Sequence, residues 1–154
     1  MQLVVLGTGD AKYEDMFKNY ALKDPDKISA NITFSNELAH KIYAAADAFL
    51  MPSLFEPCGL SQLISMRYGT VPIVRETGGL KDTVTPYNIF TQEGTGFSFR
   101  NYNADEMWDA IWAAKKVYDN KAEWNNIARS GMAQDFSWES AAKKYAELYS
   151  KLLD

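Results

Sequence analysis

The sequence predicts an α/β fold, a parallel sheet with helices on both faces, and three observations carry that prediction. Short apolar runs alternate with segments of helical periodicity from the start of the chain to Phe99, the pattern of strands joined by crossover helices. The apolar share is 47% with 14% aromatic side chains, enough to fill the core of one domain at 154 residues. Beyond Asn101 the alternation stops and helical segments follow one another.

In order, residues 2–6 (QLVVL) read as a short buried strand and residues 11–22 as a helix. Residues 28–34 alternate apolar side chains at Ile28, Ala30, Ile32 and Phe34, the period of a strand, and 36–46 are helical again. Ala48–Met51 reads as the third strand, 60–68 as a helix stopped by Gly69, and 71–74 as the fourth strand. A loop rich in Thr, Gly and Asn leads to a last strand at 96–99 (GFSF). Ala104–Tyr118, Lys121–Met132 and 137–153 are the closing helices, the last with Ser137 as its N-cap. Their aromatic residues Trp108, Trp112, Trp124, Phe136, Trp138, Tyr145 and Tyr149 recur at helical spacing and are expected to pack as core and between helices. No internal repeat, low-complexity segment or linker divides the chain.

Charge and cysteine content narrow the function. The formal charge of −4 with scattered basic residues lacks the basic stripe of a nucleic-acid binder. No apolar run approaches membrane-spanning length, and no membrane partner is expected. The lone Cys58 excludes an internal disulfide and a cysteine zinc site and fits a cytoplasmic protein.

In an open α/β sheet, ligands bind beyond the carboxyl ends of the strands, so the loops there carry the chemistry. The first, Gly7-Thr8-Gly9-Asp10, begins like a dinucleotide fingerprint but has Lys12 in place of the third glycine. The second strand offers no carboxylate for a ribose diol, which disfavours a nicotinamide dehydrogenase. The loop after the third strand, Pro52 to Gly59, runs into a helix start with no acidic side chain in its first turn. Free N–H groups and the positive end of the helix dipole make that an anion site. Gly59 permits close backbone approach there, and Ser61 adds a hydroxyl. Glu56 stands beside it, either as an acceptor for sugar hydroxyls or as a simple complement to the helix dipole. Cys58 reads as a small, tight-fitting residue rather than a nucleophile, since no base is near it in sequence. His40, the only histidine, reads as structural, and no metal site is expected. Thr77-Gly78-Gly79-Leu80 reads as a glycine-requiring turn, and Arg75 either approaches a phosphate or pairs with Glu76 or Asp82.

The segments EPCGLSQL, MRYGTVPIVRETGGLKDTV and FSW, with VVLGTGD and LAHKIYAAADAFLMPS ahead of them, resemble bacterial glycogen synthases and plant starch synthases over essentially the whole chain. The resemblance implies the nucleotide-binding C-terminal half of a GT-B glycosyltransferase, with a Rossmann-like sheet and the active site in a cleft between two domains. It implies that Glu56 lies beside the donor glucose as the catalytic carboxylate. It also implies that the amides of Cys58, Gly59, Leu60 and Ser61 contact sugar hydroxyls and the distal phosphate, that Phe34 lies against the adenine, and that Thr77 and Gly78 border the nucleotide cleft. Phe34 read from its alternation alone is a core residue.

The implied donor is ADP-glucose, with no cofactor and no metal, and the implied acceptor is glycogen or another α-1,4-glucan held through an N-terminal domain. A UDP-glucose-dependent glycosyltransferase and a non-catalytic nucleotide-binding module are the alternatives. Two departures stand out. Ile64 occupies the place of the second glutamate common in related glycosyltransferases, so Glu56 has no paired carboxylate. The family's Arg-x4-Lys phosphate clamp occurs nowhere in the chain. On this reading, residues 1–154 are a single nucleotide-sugar-binding domain, about the last third of a longer enzyme.

Overall fold

The computed structural model describes residues 1–153, and the chain divides into two compact units, Met1–Ala45 and Ala46–Asp154. The first unit is β1 (Leu3–Leu6), α1 (Ala11–Lys23), β2 (Ile28–Asn31) and α2 (Asn36–Ala45). β1 and β2 pair in parallel with Leu3 opposite Ile28 and Leu6 opposite Asn31, a pairing that needs the crossover supplied by α1. The expected strand over 28–34 ends early. Asn31 turns its side-chain amide back to the carbonyl of Val5, and Thr33 N–H donates to the carbonyl of Asn31, a turn that leaves Phe34 outside the ladder.

The second unit holds β3 (Ala48–Met51), α3 (Ser61–Tyr68), β4 (Val71–Arg75), α4 (Gly78–Thr83), β5 (Phe97–Phe99), α5 (Ala104–Tyr118), α6 (Lys121–Met132) and α7 (Trp138–Leu153). Its strands are all parallel, in the order β3-β4-β5. The central strand β4 is buried from Val71 to Val74, and its period of two sorts the core into two layers. Val71 and Ile73 join Phe97 and Phe99 against Ala110, Ala114 and Val117 of α5 and Trp124 and Ile127 of α6. Val74 joins Met66 of α3 with Leu80 and Val84 on the opposite face. Helices therefore cover both faces of this sheet, as the alternation predicts. α4, where the sequence suggests only a turn, is a short helix that buries Gly79 and Leu80.

The aromatic residues of the closing helices do not behave as a group. Trp124 is buried, its ring 6.2 Å from that of Phe97 and 5.2 Å from that of Tyr118. Trp108, Trp112, Phe136, Trp138, Tyr145 and Tyr149 are all exposed, and α7 buries no residue at all. Helical spacing makes an apolar stripe, but a stripe is buried only where a second surface meets it, and for α5 and α6 that surface is the sheet, each other and, for α6, α3 at Met66. Ser137 does cap α7, accepting from the N–H of Ser140 at 3.2 Å.

Candidate functional site

The loop between β3 and α3 is held from three sides by residues distant in sequence. Arg75, at the end of β4, donates through its guanidinium to the carbonyls of Ser53 at 3.2 Å and Leu54 at 2.8 Å. Its guanidinium also lies 5.7 Å from the ring of Tyr102, so neither Glu76 nor Asp82 is its partner; Glu76 instead accepts from the Ser98 hydroxyl at 2.8 Å. Gln62, fully buried in the first turn of α3, directs its amide nitrogen at the carbonyls of Cys58 (3.1 Å) and Gly59 (3.0 Å) and at the hydroxyl of Thr83 (3.2 Å). The Thr83 hydroxyl in turn donates to the carbonyl of Gly79 at 2.5 Å.

The third support is the start of α4. Gly79 N–H lies 3.3 Å from the carbonyl of Glu56 and 3.2 Å from that of Pro57. A Cβ at Gly78 would collide with the carbonyl oxygen of Glu56, and one at Gly79 with that of Cys58. Gly78 also has φ of +43°, so this position needs glycine for both conformation and space. The Thr77-Gly78-Gly79 turn and the Glu56-Pro57-Cys58 loop are thus one packed unit at the carboxyl edge of the sheet. Cys58 contributes its backbone to that tight fit, while its side chain is exposed.

At the centre of this frame is the N-terminus of α3. Leu60 is its N-cap residue, 67% exposed, and no side chain caps the helix, Glu56 included. The first turn carries no acidic residue, so its N–H groups keep their donor capacity for an outside acceptor. The opposite arrangement occurs at Gly9, whose N–H is taken by the carboxylate of Glu14 at 2.9 Å. That amide is therefore already paired, unlike those at the start of α3.

The predicted site residues Glu56, Cys58, Gly59, Leu60, Ser61, Thr77 and Gly78 are therefore gathered around one uncapped helix start. Phe34 belongs to the first unit. It is 83% exposed, which overturns its alternative reading as the last core residue of a strand. Gln62 and Thr83 escape the sequence reading. The only signal for Gln62 is a polar residue in the first turn of a helix, and its side-chain partner Thr83 lies 21 positions away. Among the described residues no three His, Cys, Asp or Glu side chains gather as a metal site, and no helix is long and apolar enough to cross a membrane.

The chain is 65% identical over 153 residues to the glycogen synthase of Lachnospira eligens and 60% identical over 153 residues to that of Caldicellulosiruptor saccharolyticus. Each match covers 99% of the chain, which spans 32% of the length of either relative. Among solved structures, the catalytic domain of starch synthase IV from Arabidopsis thaliana bound to ADP and acarbose superposes with a TM-score of 0.84 at 36% identity, over 97% of this chain and 32% of that one. Sucrose-phosphate synthase from Thermosynechococcus elongatus shares the fold, with a TM-score of 0.70 at 24% identity over 99% of this chain and 38% of that one. Since the model of the glycosyl transferases group 1 matches residues 1–131, the chain belongs to that family.

Proposed function

We propose that the chain is the donor-nucleotide-binding part of a retaining glucosyltransferase that transfers glucose from ADP-glucose to the non-reducing end of an α-1,4-glucan. The observation that carries the proposal is the uncapped start of α3 inside a loop pinned by Arg75, Gln62 and Gly79. An anion of the size of a diphosphate fits that chemistry, because the amide donors are preorganised and need no metal. Glu56 lies four residues before the N-cap Leu60 in the same pinned loop and takes the hydroxyls of the glucose. The related starch synthase was solved with ADP and acarbose, which supports ADP as the nucleotide. The exposed ring of Phe34 offers a stacking face for the adenine.

In the transfer, the bond between the anomeric carbon and the phosphate oxygen breaks while the acceptor hydroxyl oxygen bonds to that carbon on the same face. The hydroxyl proton passes to the departing phosphate, leaving ADP and a glucan one residue longer. Amide donors at α3 stabilise the charge that builds on the diphosphate, where one such donor is commonly worth about 2.7–4 kcal/mol. Without a second carboxylate at Ile64, a covalent glycosyl intermediate on a paired acid has no nucleophile. The enzyme acts in the cytoplasm, which the exposed free thiol of Cys58 suits.

Two substitutions in the full-length enzyme test the reading together. Glu56→Ala abolishes glucosyl transfer and leaves ADP affinity within a few fold, because its carboxylate meets the sugar. Phe34→Ala weakens ADP binding by about 1–3 kcal/mol, by analogy with truncated base-stacking aromatics, and leaves thermal stability unchanged because the ring is exposed. Calorimetric titration with ADP and with UDP beside a transfer assay on glycogen reads both. Transfer at the unmodified rate in Glu56→Ala, or equal ADP affinity in Phe34→Ala, sinks the respective role.

A further inference from the structure

Trp108 and Trp112 are the exception to the packing of α5. At 100° per residue they point away from Ala110, Ala114 and Val117, the residues that this helix buries. They are 53% and 50% exposed, with ring planes within 18° of parallel and centroids 6.4 Å apart. Neither ring serves the core, and leaving two indoles in water forgoes the burial that usually accounts for tryptophan.

We infer that this pair is a second glucan-binding site, a stacking platform for a stretch of α-1,4-glucan away from the reacting end; the inference rests on the acceptor class proposed above. The surroundings decide the occupant. Asp105, Asp109 and Lys116, all exposed, flank the rings, and Lys115 beside them is bonded to Asp119 at 2.6 Å. Of the aliphatic side chains nearest the rings on the helix, half-buried Ile111 packs against the core and Ala104 adds a single methyl. A protein partner seated here would bury those charges without a matching apolar rim, at a net cost. A pyranose puts its flat C–H face on an indole and its hydroxyls around the edge, where carboxylates accept and ammonium groups donate. Tethering a polymer here raises the local concentration of its chain ends at the transferase site with no change in that site.

The test is electrophoresis of the chain through native gels with and without glycogen, with dextran as an α-1,6-linked control, beside calorimetric titration with maltoheptaose and separately with ADP. Glycogen retards the wild-type chain and dextran does not. Trp108→Ala/Trp112→Ala loses the retardation, its affinity for maltoheptaose falls by about tenfold or more, and its ADP affinity is unchanged. Lys116→Ala keeps most of the retardation. Equal retardation of the wild type and the double variant, or none of the wild type, overturns the platform. So does a wild-type dimer in sedimentation that the double substitution dissociates, because a second copy would then cover the rings. If ADP binds and glycogen does not, the platform falls while the nucleotide reading stands. If glycogen binds through the two tryptophans and ADP does not, the platform stands and the nucleotide reading falls.

Discussion

A methyl group added at position 79 would land on the carbonyl oxygen of Cys58, with the rest of that residue's backbone also in its way. Backbone cannot rotate aside as a long side chain can, so α4 must separate from the Glu56-Pro57-Cys58 loop to admit it. The amide of Gly79 then loses the carbonyls it now faces. Gly79→Ala is expected to destabilise the chain by about 1–3 kcal/mol and to weaken ADP binding as well, because the loop that frames the α3 amides is no longer pinned. Gly9→Ala is the control. A Cβ there meets nothing within 4 Å, so stability stays level or rises by about 0.4–1 kcal/mol through the unfolded chain. Chemical denaturation of both variants, with ADP titration of each, checks the contrast; equal stability of the two contradicts the packing. Residue chemistry explains why this site was partly legible beforehand. Glycine pairs and an acid-free helix start are local signals, whereas Gln62 and Arg75 acquire meaning only from carbonyls brought to them by the fold.

The helix starts are where whole elements are fastened. At α5, Asn103 accepts from the N–H of Glu106 at 2.8 Å, and Glu106 in return accepts from the N–H groups of Arg100 (3.0 Å) and Asn101 (2.8 Å) and from the side chain of Asn101. This reciprocal cap ties α5 to the end of β5. The bonds from Asn101, backbone first and then side chain, with lesser help from Arg100 and Asn103, hold the Glu106 carboxyl below its ordinary value of 4.5. A carboxylate lowered in the folded state adds stability that is full above that unfolded value and is lost as pH falls through the lower folded one. Glu106→Gln therefore melts lower than the wild type at neutral pH, and the gap narrows below 4.5 as pH falls through the lower folded-state value, beneath which both side chains are neutral. Thermal melts of the two proteins at neutral and at acid pH show it; a gap that stays constant removes Glu106 as an ionic cap. α6 repeats the device, with Asn120 accepting from the N–H of Glu123 at 3.4 Å. Glu123 also accepts from Tyr87 at 2.5 Å, and burial first, then this bond, pushes the Tyr87 hydroxyl up to about 12. The Asn-x-x-Glu spacing of both caps was present in the sequence, but the strand end and the tyrosine they fasten were not.

On the scale of the molecule, the chain spans 32% of the length of the glycogen synthases it matches. The α3 amides and Phe34 proposed to hold ADP lie within it, whereas the Arg-x4-Lys phosphate clamp that the resemblance implies does not, and no group proposed to orient a glucan acceptor at the reacting carbon does. The chain by itself is expected to bind ADP weakly and to transfer no glucose to glycogen. Orientation of the reacting groups and exclusion of water account for many orders of magnitude in rate, about 7–11 kcal/mol for orientation alone where the reacting groups are well aligned. A radiolabelled transfer assay alongside ADP calorimetry checks both halves. Turnover by the chain alone contradicts this division of labour, and no heat at about millimolar ADP contradicts the nucleotide site.

By itself the sequence determined the order and type of nearly every element, the parallel sheet with helices on both faces, and the anion-ready helix start after Glu56. All of these rest on interactions between near neighbours: strand and helix periodicity, glycine stops, and the absence of an acid in one helical turn. Tertiary structure alone decided the early end of β2 that frees Phe34, and the folding of the Thr77-Gly78-Gly79 turn into a helix packed on the site loop. It also decided which aromatic residues are core. Trp124 and the exposed Trp108 and Trp112 sit on helices of the same periodicity. Periodicity places a side chain on a face of its own helix, but burial depends on what the rest of the chain puts opposite that face.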